Sequence, residues 1–289
     1  MPKQLLNEPE RFLIERWEEA SRLEQSMESV REKYEELFER VTDAVTKRHP
    51  EFNDCKVNMT QKWSDGEIGF GRESWPGKDG PSGLWMVNLK LERLANSDSA
   101  DPYACVWIRG DSKIDLESAA NILKEEAKKI ITSEQLKRFE SKWNNLWILP
   151  APSKKEMLTA FSSSDGEEFV ELLVKQFDQM ARFVPVLDKI FSDYYSKEFN
   201  RLSAQWHKDT DHLSSTSKSN AHPAYLEIIA LGQGVVPFLL RDLEKNRAHW
   251  FKALEAITGT HPLSPSIAGQ IPKMAQAWLS WAKENGYHW

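Results

Sequence analysis

Residues 8 to 48 constrain this chain more than any other stretch. Leu13, Trp17, Ala20, Leu23, Met27, Val30, Tyr34, Leu37, Val41 and Ala44 recur at steps of three or four among Glu and Arg. That spacing is one apolar stripe on a helix turning every 3.6 residues. Asn7 is an N-cap residue type, Pro9 stands close to the first helical position, and Glu8 and Glu10 suit the positive end of the helix dipole. His49-Pro50 closes the run, because the residue before a proline is pushed out of the helical region. At ~1.5 Å per residue the rod is about 60 Å long. A small core is too short to cover it alone.

A candidate cover lies downstream. Over residues 166–198, Phe169, Leu173, Phe177, Met180, Val184, Leu187, Phe191 and Tyr194 form a second stripe of the same rhythm. Pro185 predicts a kink just before it, since its ring displaces a backbone carbonyl and its nitrogen donates nothing. The two helices can pair antiparallel, lie separately on the sheet encoded between them, or pair between chains as a coiled coil. Aromatic-rich seams suit a globular core better than a strict zipper. Packing within the chain is the favoured reading, with self-association through the long helices as its functional alternative.

The stretch between them reads as β-structure. CKVNMTQKW alternates as a strand, SDG supplies a turn, and EIGFGRE follows. GLWMVNLKLERL predicts a longer strand with a bulge, since Leu84, Met86, Leu89 and Leu91 fall out of strict alternation. YACVWIR is apolar on both faces, as an interior strand is. A helix begins after Asp115, its cap, with Ile122, Leu123, Ala127 and Ile130 on its buried side. Helices near 133–144 and 153–161 follow, with NLWILP as a short strand between them. Strands and helices are segregated along the chain, so the fold class is α+β.

RLSAQWHKDTDHLSSTSKSN, residues 201–220, is poor in apolar residues and ends in Ser, Thr and Asn. It predicts a linker at 205–220 between an α+β domain, 1–204, and a helical module, 221–289. In that module Tyr225, Ile228, Ile229 and Leu231 mark one helix closed by Gly232 and Gly234. Val236, Leu239, Leu240 and Leu243 mark a second, with Pro237 in its first turn. Trp250, Ala253, Leu254 and Ile257 mark a third, ended by Gly259. Ile271, Met274, Ala275, Trp278 and Trp281 mark the last. The pattern IIALGQGVVPFLLRDLE resembles a HEAT-type helical repeat, whose paired helices stack across a Gly-rich corner. With HWFKALEAITG and AWLSWAKENGY, the run also resembles a short helical domain of bacterial proteins that carries no assigned activity. The resemblance covers about a quarter of the chain and its motifs are structural. It implies a binding face, in an adaptor or subunit of a bacterial defence or toxin–antitoxin system.

Charge and residue chemistry narrow the function classes. The net charge is −6, with acids and bases interspersed, which argues against a partner held through phosphates. MPKQLLNEPERFLIERW has no uncharged apolar run, and no stretch approaches the ~18 apolar residues of a membrane span. These features place the expectation in the cytoplasm, with Cys55 and Cys105 as reduced, buried thiols and no cofactor. Twelve Trp residues must find a core or a partner. Trp75, in the Gly-rich GFGRESWPGKDGPSG loop, is a candidate contact residue, and Arg241, Arg247, His249 and Phe251 are candidates on the helical module. His207, Asp209, Asp211 and His212 are the one dense group of potential metal ligands, set in a polar segment without an apolar shell. The enzyme alternative is a PD-(D/E)XK-like nuclease gripping Mg²⁺ or Mn²⁺ through Glu73, Glu92, Asp111 and Lys113. Their spacing lacks the full signature. The leading expectation is a non-enzymatic protein that binds another protein or itself.

Overall fold

The computed structural model describes residues 5–50, 55–57, 66–72, 74–75, 82–108, 114–133, 146–163, 165–246 and 249–289. Asn7 caps α1 (Glu8–Glu15) through a capping box. Its Oδ1 accepts from the Glu10 N–H at 2.9 Å, and the Glu10 carboxylate accepts from the Asn7 N–H at 2.7 Å. The expected single helix over 8–48 is interrupted at Arg16, whose φ of −122° and ψ of 37° leave the helical region. α2 (Trp17–Arg48) resumes at once. The Arg16 N–H still donates to the Phe12 carbonyl at 3.1 Å, so the interruption is a bend in a continuous rod.

β1 (Cys55–Val57), β2 (Glu67–Arg72), β3 (Gly83–Val87), β4 (Tyr103–Trp107) and β5 (Leu146–Leu149) form an antiparallel meander in chain order. Register puts Ile68, Met86, Ala104 and Leu149 in one cross-strand row and Phe70, Leu84, Val106 and Trp147 in the next. Both rows are buried on one face. The opposite face carries the row Gly69, Trp85, Cys105 and Ile148. A Cβ on Gly69 would stand 2.3 Å from the Trp85 ring, so glycine is what lets that indole lie across β2. Cys105 is buried as expected, and the side chain of Cys55 is outside the described residues.

The bulged strand expected over 83–94 is not formed. β3 stops at Val87, Asn88 turns the backbone with φ of +66°, and α3 (Leu91–Ala95) follows. The Asn88 side-chain amide donates to the Asp101 carbonyl at 2.9 Å, which holds the turn. Irregular alternation in NLKLERL therefore marks a strand ending in a helical turn. Asp115 caps α4 (Leu116–Ile130) by accepting from the Glu117 and Ser118 N–H groups, and Ala119, Leu123 and Ala127 are buried from it. α5 (Lys154–Phe161) begins at a second capping box, Ser153 with Glu156.

α6 (Glu167–Ala181) and α7 (Val184–Thr210) replace the expected helix over 166–198. The break falls at Arg182 and Phe183, immediately before Pro185, where the missing N–H predicts it. α2 and α6 pair within the chain, but in parallel, not antiparallel. Arg40 pairs with Glu167, and His49 Nε2 stands 2.6 Å from Asp178, so both helices advance together. The intervening sheet returns the chain to the starting end, which permits that direction. Tyr34, Phe38, Phe161 and Phe169 pack edge to face at the start of the seam. Phe177 meets Phe70 of the sheet with ring centroids 4.9 Å apart.

The linker expected at 205–220 is mostly helix. α7 runs unbroken to Thr210 and buries Tyr195, Phe199, Leu202 and Trp206. α8 (Thr216–Asn220) follows, and the Ser219 carbonyl accepts from the Trp206 indole N–H at 2.8 Å. α9 (Pro223–Ala230), α10 (Val236–Asn246), α11 (Phe251–Thr258) and α12 (Ile271–Glu284) match the expected helices of the module. Gly259 ends α11 in the left-handed conformation, φ +68°. Trp206, Tyr225 and Trp250 stack beside Phe199. A Cβ on Gly234 would lie 1.9 Å from the Tyr195 ring, so the glycine corner is where α7 presses against the module. One hydrophobic core runs from Tyr34 to Ala282 through α7.

Candidate partner-binding surface

The sequence candidates for partner contact are dispersed. Trp75 is 1% exposed and stacks on Phe191. Its indole N–H donates to Asp188 at 2.9 Å, and the Arg72 guanidinium both grips Asp188 through two oxygens and lies 5.4 Å over the Trp75 ring. An aromatic in a Gly-rich loop was expected to face a partner, yet it pins the end of β2 to α7. Phe251 is 9% exposed and belongs to the core, so it too is withdrawn from a contact role. Arg241 is exposed, with its guanidinium 5.5 Å over Phe238, and His249 is exposed, its ring edge-on to Phe251. Arg247 lies outside the described residues.

The potential metal group is divided between helix faces. His207 Nδ1 stands 2.9 Å from Asp211, one turn on, whereas Asp209 faces His222 at 3.4 Å. His212 is exposed beyond the end of α7. Among the described residues, no group of three or more His, Cys, Asp or Glu side chains is placed to hold a metal ion. Of the nuclease candidates, Glu73, Asp111 and Lys113 lie outside the described residues. Glu92 sits on α3 and not on a strand, and it accepts from Arg31 at 2.8 Å. Hydrogen bonding from its own backbone N–H and then from Arg31 holds its carboxyl below the usual range, so it is an ionised partner of Arg31.

Among the described residues, most of the exposed large hydrophobics lie on the first half of the long helical stripe. α1 buries no residue, and α2 buries none before Tyr34. Trp17 is 66% exposed, Leu23 64% and Phe12 58%, with Leu13, Ile14, Met27 and Val30 exposed alongside. The same stripe that is covered by α6 from Tyr34 onward is therefore bare from Leu13 to Val30. A groove of about 490 Å³ runs along it at the Arg16 bend, lined by Phe12, Leu13, Ala20, Leu23 and Met27 with charged flanks from Glu19, Glu24 and Arg31. At the base of the bare segment a cavity of about 260 Å³ opens between Tyr34, Phe38, Leu89 and Leu91. The Tyr34 hydroxyl, donating to the Leu89 carbonyl at 2.5 Å, forms part of its floor, and burial raises its pKa far above the ordinary tyrosine value. One signal for this was present in the sequence. Phe12, Leu13 and Ile14 are consecutive, so no single buried helix face can take all three.

No family model matches the chain, and no curated protein or solved structure is significantly similar to it. The likeness of residues 228–244 to a HEAT-type repeat therefore rests on the helix–corner–helix pattern alone. Among the described residues, no single helix is long and apolar enough to cross a membrane.

Proposed function

We propose that this chain is a non-enzymatic protein-binding subunit, an adaptor whose docking element is the α1–α2 arm. The observation that carries the reading is the run of exposed apolar residues from Phe12 to Val30, held out on a helical arm whose far half is anchored in the core. Soluble proteins rarely leave a contiguous patch of that kind bare unless a partner covers it. An amphipathic helix offered at i, i+3, i+4 and i+7 is one of the recurring forms of protein recognition. Arg241 and His249, exposed on the helical module, offer a second and more polar contact.

The test compares wild-type protein with Leu23→Glu/Met27→Glu, two substitutions at exposed positions. Association of either kind, with itself or with proteins of the native host, is followed by light scattering after size exclusion and by affinity purification. Loss of association in the variant, with its circular dichroism unchanged, is the expected result. Association that is indifferent to both substitutions would end the reading.

A further inference from the structure

We infer that the partner of the arm is a second copy of this chain, paired with it antiparallel across residues 13–30. The inference rests on the protein-binding reading above and names its occupant. Counted across the Arg16 bend, heptad spacing puts Leu13, Ala20 and Met27 at one seam position and Arg16, Leu23 and Val30 at the other, with Ala20, Leu23, Met27 and Val30 on the unbroken α2. The same register continues into Tyr34, Leu37 and Val41, which the core already buries. The bare segment is thus a seam that lacks its second strand.

Charge disfavours a lipid surface and a parallel copy, and favours an antiparallel one. Residues 8–33 carry eight Glu against four Arg and one Lys, so an anionic lipid surface repels the flanks of this helix. A parallel second copy sets Arg16 against Arg16 in the seam and Glu19 beside Glu24 at its edge, both like-charge contacts. An antiparallel copy removes both. Leu13 then meets Val30 of the second copy, Arg16 meets Met27, and Ala20 meets Leu23, each pair occurring twice about the twofold axis. Glu10 comes beside Arg31 of the second copy, an opposite-charge contact. The Arg16 side chain lays its methylenes on Met27 and carries its charge out to the Glu-rich edge.

The same register accounts for the cavity at the base of the arm. It brings Phe12 of the second copy level with Arg31, beside the opening between Tyr34, Phe38, Leu89 and Leu91. That ring is exposed in the single chain. The cavity, about 260 Å³, has room for an aromatic ring, since ~150 Å³ accommodates benzene. Each copy thus supplies a ring to the other, and the interface closes on itself.

Sedimentation of the full chain over a dilution series, with cysteine pairing, tests this. Wild type is expected at twice its 33.4 kDa, and Leu23→Glu/Met27→Glu as a monomer with unchanged helicity. Oxidised mixtures of Ala20→Cys and Leu23→Cys proteins should cross-link several-fold faster than either alone, with peptide mapping placing the bridge between positions 20 and 23. A wild type that stays monomeric at every concentration overturns self-pairing, while arm-dependent capture of a different protein would still support the adaptor reading. A dimer that survives the double Glu substitution overturns the arm as its interface. Faster self-linking of Ala20→Cys overturns the antiparallel register.

Discussion

Trp75 and Tyr225 illustrate how aromatic side chains with polar tips serve this protein. Trp75 fills a fully buried site and satisfies its N–H on Asp188. Trp75→Ala removes a large buried ring and leaves the Arg72–Asp188 pair without its cover. A loss of about 3–5 kcal/mol is expected in urea unfolding, with no role in association once the folded fraction is accounted for. The Tyr225 hydroxyl donates to the His249 carbonyl at 3.1 Å and accepts from the Ala253 N–H at 3.0 Å. Trp250, the residue before α11, makes no side-chain cap, so a tyrosine from another helix caps α11 instead. Tyr225→Phe leaves that first-turn N–H unmet and should cost about 1–2 kcal/mol by the same measurement.

Burial raises the Tyr225 hydroxyl to about 12, against the lowering effect of the Ala253 N–H. The unfolded chain titrates near ~10, so the native state holds this proton more tightly. Its contribution to stability is complete below about pH 10 and is lost as pH climbs towards 12. Tyr225→Phe should therefore flatten part of the alkaline decline in stability between those limits, as read from unfolding midpoints at successive pH values.

At the scale of elements, one helix has two physical regimes. From Tyr34 to Val45, α2 is buried against α6, while its first turns and α1 bury no residue. Opening free energy follows burial. In the Leu23→Glu/Met27→Glu protein, amides over 17–30 should exchange within the fast class, and those over 34–48 with the slow core. Equal protection of both halves in that variant would contradict the arm's lack of tertiary cover. The caps at Asn7 and Asp115, the kink before Pro185 and the glycine stop at Gly259 were all legible locally, because capping, Pro and Gly act over three or four residues. The end of β3 was not. Asn88 leaves the strand because its amide finds the Asp101 carbonyl, thirteen residues away in sequence and invisible to alternation.

The whole molecule is held together by α7. Its first half covers the sheet domain through Leu187 and Phe191, and its second half forms the floor of the helical module through Phe199, Leu202 and Trp206. A chain cut after residue 204 loses Trp206, Trp250 and Tyr225 together, and leaves Phe199 and Leu202 bare. It is expected to lack a cooperative thermal transition, whereas the full chain should unfold as one calorimetric unit. A stable, excisable 1–204 fragment would show that the two halves have separate cores after all. Polar composition suggested a boundary here because α7 is polar on its outer side. Its buried residues are spaced one per turn and are outnumbered in any local window.

Much of this protein was determined by sequence alone: an α+β chain, the helices of the C-terminal module, the two long apolar stripes and the break between 181 and 184. These follow from periodicity and from residues whose backbone preferences act within a turn. The tertiary structure decided the remainder. It set α2 parallel to α6, buried Trp75 and Phe251, separated the His and Asp cluster, and left Leu13 to Val30 without cover. An apolar stripe states that burial is needed, but only the lengths and positions of the packed elements determine where the core ends. Here α6 begins opposite Leu37, and the stripe extends beyond it.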